Sequence, residues 1–328
     1  MHLTAAIIGL GNIGQGYDYD CRDRTRILTH AQAFSFHPNF SLMGGVDPDP
    51  NARARFEKKF EKPAFSNLSG LYEYGKPDIV SICVPTKYHY QMFKNVVCRA
   101  PKAIICEKPL AATIAEGQEM VGLAREKKCL LLVNYIRRFE PGFLELSKRI
   151  KAQEIGKIYK GTLWYSKGIL NNGSHFIDLL IYLFGKVRDV QLLNQGRKFE
   201  DSDPEPDFLL RFAEADIFCF AGKEECFSVK DLELVGTRGV IKYLGGGERI
   251  LVYKTVSNPG FPGQKVIERS GVEIPNELFR YQHFVADALF KALAIEEPLK
   301  SNGTTALETL AEVEKIIRMS ERTADDKK

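Results

Sequence analysis

The chain has 328 residues, 44% apolar and 27% charged, and its 46 basic and 42 acidic residues leave a net charge of +4. That length accommodates two domains with a sizeable core. So even a charge balance, without a Lys/Arg-rich run, argues against nucleic acid as the principal partner. Apolar runs such as KAIIC and CLLLV are strand-sized, far short of a membrane span.

The first third alternates short apolar runs with helix-like stretches. Strands are predicted at Thr4–Ile8, Phe40–Val46, Ile79–Val84, Ala103–Cys106 and Leu130–Val133, each a near-continuous apolar run as expected for a sheet covered on both faces. Helices are predicted at Pro50–Phe60, Tyr88–Arg99 and Ile114–Lys127, the last opened by a capping box of Thr113 and Glu116. This order implies an α/β, doubly wound parallel sheet of the Rossmann kind.

After NYIRRFEP the pattern changes. A helix over Pro141–Gln153 leads into strand-like segments at 157–166, 187–194, 208–212, 216–220, 226–235 and 239–243. Period-2 alternation in IYKGTLWYS and SVKDLELVG predicts an antiparallel sheet with one more polar face. Helices near 277–294 and 305–322 close the chain. The expected division is 1–135 and 136–328, the second part being an α+β domain. Seven cysteines without a CxxC pair predict reduced thiols in a cytoplasmic protein and no metal site. The opening MHLTAAIIGLGNIG lacks the basic start of a signal peptide.

IIGLGNIG places Gly9, Gly11 and Gly14 as G-x-G-x-x-G directly after the first predicted strand, with Asn12 and Ile13 inside the loop. The first glycine permits a tight turn, the second lets a pyrophosphate approach the backbone, and the third allows close helix packing. The pyrophosphate would meet the start of the helix that follows. Asp47, at the end of LMGGVD, lies 33 residues after Gly14, and 20 once the 13-residue stretch Tyr17–Thr29 is set aside. That is the spacing of an acidic ribose ligand. With no arginine expected nearby it favours NAD over NADP; the alternative reading makes Asp47 a helix cap. Within Tyr17–Thr29, Arg22, Arg24 and Arg26 form either a solvated loop or a lid for an anionic substrate.

GLGNIG at 9–14, CVPTKYH at 83–89, CEKPLA at 106–111, NYIRRFEP at 134–141 and NNGSHFID at 171–178 occur in an order and spacing that resembles the glucose–fructose oxidoreductase/inositol dehydrogenase (Gfo/Idh/MocA) family. LELVGTRGVIKY and TTALETLAEVEKII resemble its later segments, so the likeness covers nearly the whole chain. The resemblance implies a second domain with an open, mostly antiparallel sheet. It further implies hydride transfer between NAD(P) and an alcohol carbon of a sugar, nucleotide sugar or cyclitol, in dimers or tetramers formed through that sheet. It assigns Lys108 and His175 to catalysis, implies a cis Lys108–Pro109 bond, and sets Pro85, Thr86, His89, Glu107 and Lys108 itself beside the cofactor. An NAD-dependent glycosidase and a non-catalytic, cofactor-binding regulator are the alternatives within the same resemblance.

The chemistry suits these residues. A neutral imidazole can take the hydroxyl proton, and Lys108 can donate a hydrogen bond to the reacting oxygen. Asn171 stands where many relatives carry aspartate; it can position a hydroxyl but cannot titrate. Asp178, three residues after His175, reads either as an orienting group for the ring or substrate, or as a helix-start carboxylate. Tyr165, Lys167 and Asn172 flank the motif as candidates for polyol binding.

Overall fold

The computed structural model describes residues 2–21, 24–200 and 202–325; Arg22 lies outside the described residues. Strands in chain order are β1 Leu3–Ile8, β2 Phe40–Val46, β3 Ala64–Phe65, β4 Ile79–Ile82, β5 Ala103–Cys106, β6 Leu130–Val133, β7 Ile158–Tyr165, β8 Asp189–Phe199 and β9 Asp203–Arg211. They continue with β10 Asp216–Ala221, β11 Lys230–Gly236, β12 Gly239–Leu244, β13 Arg249–Ser257, β14 Lys265–Ile267 and β15 Val272–Ile274. The helices are α1 His30–Phe36, α2 Pro50–Phe60, α3 Leu68–Tyr74, α4 His89–Val97, α5 Ile114–Glu126, α6 Pro141–Lys151, α7 Ser174–Phe184, α8 Tyr281–Ala294 and α9 Gly303–Asp325.

Two compact units result. The first comprises the chain up to Phe139 and again Phe279–Leu310; the second comprises Glu140–Leu278 and the chain from Ala311 onward. The single cut expected after residue 135 therefore becomes three crossings. The physical reason is apolar: Val285, Ala286 and Leu289 of α8 pack in one cluster with Phe34 of α1 and Leu3, Ala5 and Ile7 of β1. Helix periodicity revealed α8, but nothing in its pattern says which sheet its apolar face covers.

The first unit is a six-stranded sheet in the order β3-β2-β1-β4-β5-β6, parallel throughout. Its runs are buried on both faces, with α1 and α8 on one cluster and Phe93 of α4 and Met120 of α5 on the other. Thr113 caps α5, its hydroxyl accepting from the Glu116 N–H at 3.2 Å. The two-residue β3 and seven-residue α3 carried too little periodicity to be read from the sequence.

The second unit is a nine-stranded, mostly antiparallel sheet in the order β14-β13-β12-β11-β7-β10-β9-β8, with β15 on β13 and one parallel pair, β10 with β7. Its core takes Leu163 and Tyr165 from β7, Ile217 and Leu234 from neighbouring strands, and Phe143 and Phe176 from α6 and α7. The reading omitted β13, although RILVYKTVS is rich in β-branched residues. Among the described residues no helix is long and apolar enough to cross a membrane.

Candidate active site

In the first unit, β1 ends in the glycine loop. Gly9 sits at φ +95°, and a Cβ there would lie 2.6 Å from the Cys83 carbonyl oxygen. A Cβ on Gly14 would lie 2.2 Å from the Gly9 carbonyl oxygen, whereas one on Gly11 would meet open space. The helix expected to follow is only the five-residue π-helical turn Asn12–Gly16, and regular helix resumes at His30. Tyr17–Thr29 intervenes, so the pyrophosphate reading rests on loop N–H groups rather than on a helix dipole.

A cavity of about 1300 Å³ opens over this loop, lined by Gly9, Gly11, Asn12, Ile13, Asp47 and Pro85 among others. Asp47 is not a helix cap; Asp49 caps α2 by accepting from the Asn51 N–H. The Asp47 carboxylate instead accepts from the Leu10 N–H at 2.7 Å and the Asp49 N–H at 2.9 Å, which fixes it at the end of β2. The expectation of no arginine nearby is corrected: Arg53, on the first turns of α2, donates from Nη1 to the carbonyls of Asp47 and Pro48 at 2.9 and 2.8 Å. Sequence reasoning missed Asn67, Tyr88 and Gln91 on the cavity wall. Tyr88 was within reach, inside the motif CVPTKYH.

The other cofactor candidates lie elsewhere. Gly14, Thr86, His89, Glu107 and Lys108 are not part of that cavity's lining. His89 is buried, its ring spanning the Pro109 carbonyl at 2.9 Å from Nδ1 and the Val84 carbonyl at 2.8 Å from Nε2. It therefore ties the end of β4 to the segment carrying Lys108, which is half-buried and joined to Pro109 by a cis bond. Burial pushes the Glu107 carboxyl up, but the hydrogen bond and charge attraction of His30, with the Asn134 hydrogen bond and the Lys108 charge, bring it below the ordinary carboxylate range. Burial pushes the Cys83 and Cys106 thiols well up, so they stay protonated and supply no nucleophile.

Tyr17–Thr29 is pinned at both ends. The buried Asp18 carboxylate accepts from the N–H groups of Leu28 and Thr29 and from the Thr29 hydroxyl, at 2.6, 3.0 and 2.6 Å. Arg24 stacks on Phe36 and Arg26 on Phe279. Arg138, in the NYIRRFEP motif, is buried and donates to the Lys300 carbonyl at 2.9 Å.

In the second unit, Gly168–Gly173 forms a π-helical turn that runs into α7, with His175 half-buried on the first turn. Two carboxylates from β9 hold this turn. Asp203 accepts from the N–H groups of Leu170 and Asn171, both at 2.9 Å, and Glu205 accepts from the Gly168 N–H at 3.1 Å. Gly168 sits at φ +79°, and a Cβ there would lie 2.0 Å from Asp203. The predicted substrate residues separate into two groups. Tyr165 is fully buried and donates its hydroxyl to the Pro206 carbonyl at 2.6 Å, so it is a core residue. Asn172 donates to the Ser166 carbonyl at 2.9 Å, and Asp178 is fully buried on α7. Asn171 and Lys167 are the exposed members.

A parallel six-stranded sheet with a glycine loop after β1 and an acidic residue closing β2 defines a dinucleotide-binding domain. Residues 3–135 match the family model described as "Oxidoreductase family, NAD-binding Rossmann fold" (Gfo/Idh/MocA). The chain is similar to inositol 2-dehydrogenase of Rhizobium meliloti, 25% identical over 195 residues that cover 57% of this chain and 54% of that protein. It is also similar to D-glucoside 3-dehydrogenase of Escherichia coli, 24% identical over 203 residues that cover 56% and 54%. The matches span about half the length of these relatives. In fold it resembles the WlbA dehydrogenase from Bordetella pertussis, crystallised with NADH and UDP-GlcNAcA. That likeness has a TM-score of 0.75 at 19% identity and covers 98% and 96% of the two chains.

Proposed function

We propose that the protein is an NAD-dependent oxidoreductase that interconverts a secondary alcohol and a ketone on a sugar, nucleotide sugar or cyclitol. The observation that carries this reading is the cavity over the glycine loop. Gly11 leaves its floor open, Asp47 is fixed at its wall, and its volume suits a dinucleotide. Asp47 would hold the adenosine ribose hydroxyls and the Gly9–Gly14 loop the pyrophosphate; NAD bound there supplies a hydride acceptor. The Asp47 carboxylate disfavours a 2′-phosphate, while Arg53 so close makes NADP the measured alternative.

In this reading His175 is the acid–base group that takes the hydroxyl proton, and Lys108 is a hydrogen-bond donor to the reacting substrate. Asn171, exposed on the clamped turn, offers an amide to a substrate hydroxyl. An absorbance screen for NADH formation over sugars, sugar phosphates, nucleotide sugars and cyclitols tests the proposal. Lys108→Ala and His175→Ala should each lower kcat by about 10²–10⁴-fold. Turnover that survives both removes the assigned roles.

The reading includes a cytoplasmic setting, in keeping with seven free cysteines, and a second copy of the chain as partner through the open sheet. Trp164 is 47% exposed on that sheet, with its ring 5.2 Å from that of Phe220 on the adjoining strand. Trp164→Glu should shift a light-scattering mass from oligomer to monomer; an unchanged mass removes the sheet from consideration.

A further inference from the structure

Three polar side chains from distant stretches of the first unit close a ring with Glu107. His30 opens α1, Asn134 follows β6, Gln282 lies on α8, and each of these three is 1% exposed. The contacts are Glu107 Oε1 to His30 Nε2 at 2.8 Å, Glu107 Oε1 to Asn134 Nδ2 at 2.6 Å, Asn134 Nδ2 to Gln282 Oε1 at 3.2 Å, and Gln282 Nε2 to His30 Nδ1 at 3.0 Å.

Asn134 Nδ2 and Gln282 Nε2 also approach His30 Nε2, at 3.4 and 3.3 Å, but the direction of the four shorter bonds follows from the first. A carboxylate only accepts, so the amide nitrogen of Asn134 must face it. That orientation leaves Asn134 Oδ1 buried without a hydrogen-bond partner, which shows how strongly Glu107 dictates it. The second hydrogen on Asn134 Nδ2 requires the oxygen of Gln282, which turns Gln282 Nε2 toward His30 Nδ1. His30 Nδ1 is then placed to accept, while its Nε2 donates to Glu107. All donors in this arrangement run toward one carboxylate.

We propose that His30, Asn134 and Gln282 are positioning residues that hold Glu107 as a fixed carboxylate, and that this charge keeps the adjacent Lys108 an ammonium donor rather than a base. The inference rests on the reading of Lys108 given above and deepens it: proton removal is left to His175 alone. The attraction to Lys108 that helps to depress the Glu107 carboxyl is mutual, so it favours the charged lysine equally.

The test needs no substrate. The full chain is acylated with trace acetic anhydride across a pH series, and labelling of Lys108 is read by peptide mass spectrometry against exposed Lys265. In the native protein the Lys108 midpoint should lie above that of Lys265. Glu107→Gln should lower it by about one unit, a roughly tenfold faster labelling at fixed pH below the midpoint. His30→Ala should lower it in the same direction, and His30→Gln, which keeps a donor on Glu107, should restore it. Thermal melts identify any variant that fails to fold, and Gln282→Met, which removes the donor that sets the His30 tautomer, then takes its place. A purely structural ring would lower the melting temperature and leave the midpoint where it is, and that result overturns the proposal. Turnover of Lys108→Ala judges the catalytic reading separately, so either can fail alone.

Discussion

Two carboxylate clamps, one in each unit, hold the segments that carry the proposed chemistry, and they are built from opposite materials. Glu107 is held by side chains from α1, the end of β6 and α8. Asp203 is held by consecutive backbone N–H groups of the turn it supports. A clamp of backbone donors fixes the path of the chain whatever side chains that chain displays, so Asn171 and its neighbours can vary without loosening it. A clamp of side-chain donors fixes a charge state as well as a position, because changing any member changes the proton count around Glu107. The second unit thus holds a shape and the first holds a charge.

The largest effect expected from breaking this contrast is at Asp203. Asp203→Ala leaves two N–H groups without a charged acceptor, each worth about 1.5–3 kcal/mol. The melting temperature should fall while NADH binding, followed by fluorescence, stays unchanged; an equal loss of NADH affinity would refute the division of labour. Glu107→Gln should act next, and through pH. The depressed Glu107 carboxyl contributes stability that is complete above its ordinary value near 4.5 and is lost as pH falls through its lower folded value. The variant should therefore show a flatter acid limb of the stability curve, and an unchanged slope counts against an ionised Glu107. Asp47 sharpens the comparison as a mixed case, held by backbone donors yet placed on the cofactor cavity. Asp47→Ala should weaken NAD binding by about tenfold, near 1.4 kcal/mol, with a smaller change in melting temperature than at Asp203. Calorimetric titration with NAD and NADP would show whether Arg53 then raises the affinity for the 2′-phosphate.

Much of the first unit was legible because its strands are apolar on both faces and its loop glycines answer a geometric need. Phe40–Val46, Ala103–Cys106 and Leu130–Val133 coincide with β2, β5 and β6. Sequence spacing found Asp47 once the Tyr17–Thr29 stretch was set aside, yet missed Arg53, whose carbonyl contacts depend on the first turns of α2. Tyr165 misled because a tyrosine beside a motif looks like a ligand until its hydroxyl is found on the Pro206 carbonyl. Gln282 and Asp203 were invisible for a common reason. A single polar residue on a helix or strand carries no signal about a partner more than thirty positions away, and only the closed fold supplies it.

The return of Phe279–Leu310 to the first unit also sets an order of events during synthesis. Domains made early in a chain ordinarily fold before the rest has emerged. Here the stretch up to Phe139 emerges without α8, so Phe34 and Phe40 wait for Phe290 and Leu289 to cover them. Gln282 arrives with the same helix, so His30 and Asn134 meet Glu107 before their fourth partner exists. The surroundings of Glu107 are thus completed only after the second unit up to Leu278 has been made, and a chain halted earlier would carry the GLGNIG and CEKPLA motifs without a finished ring.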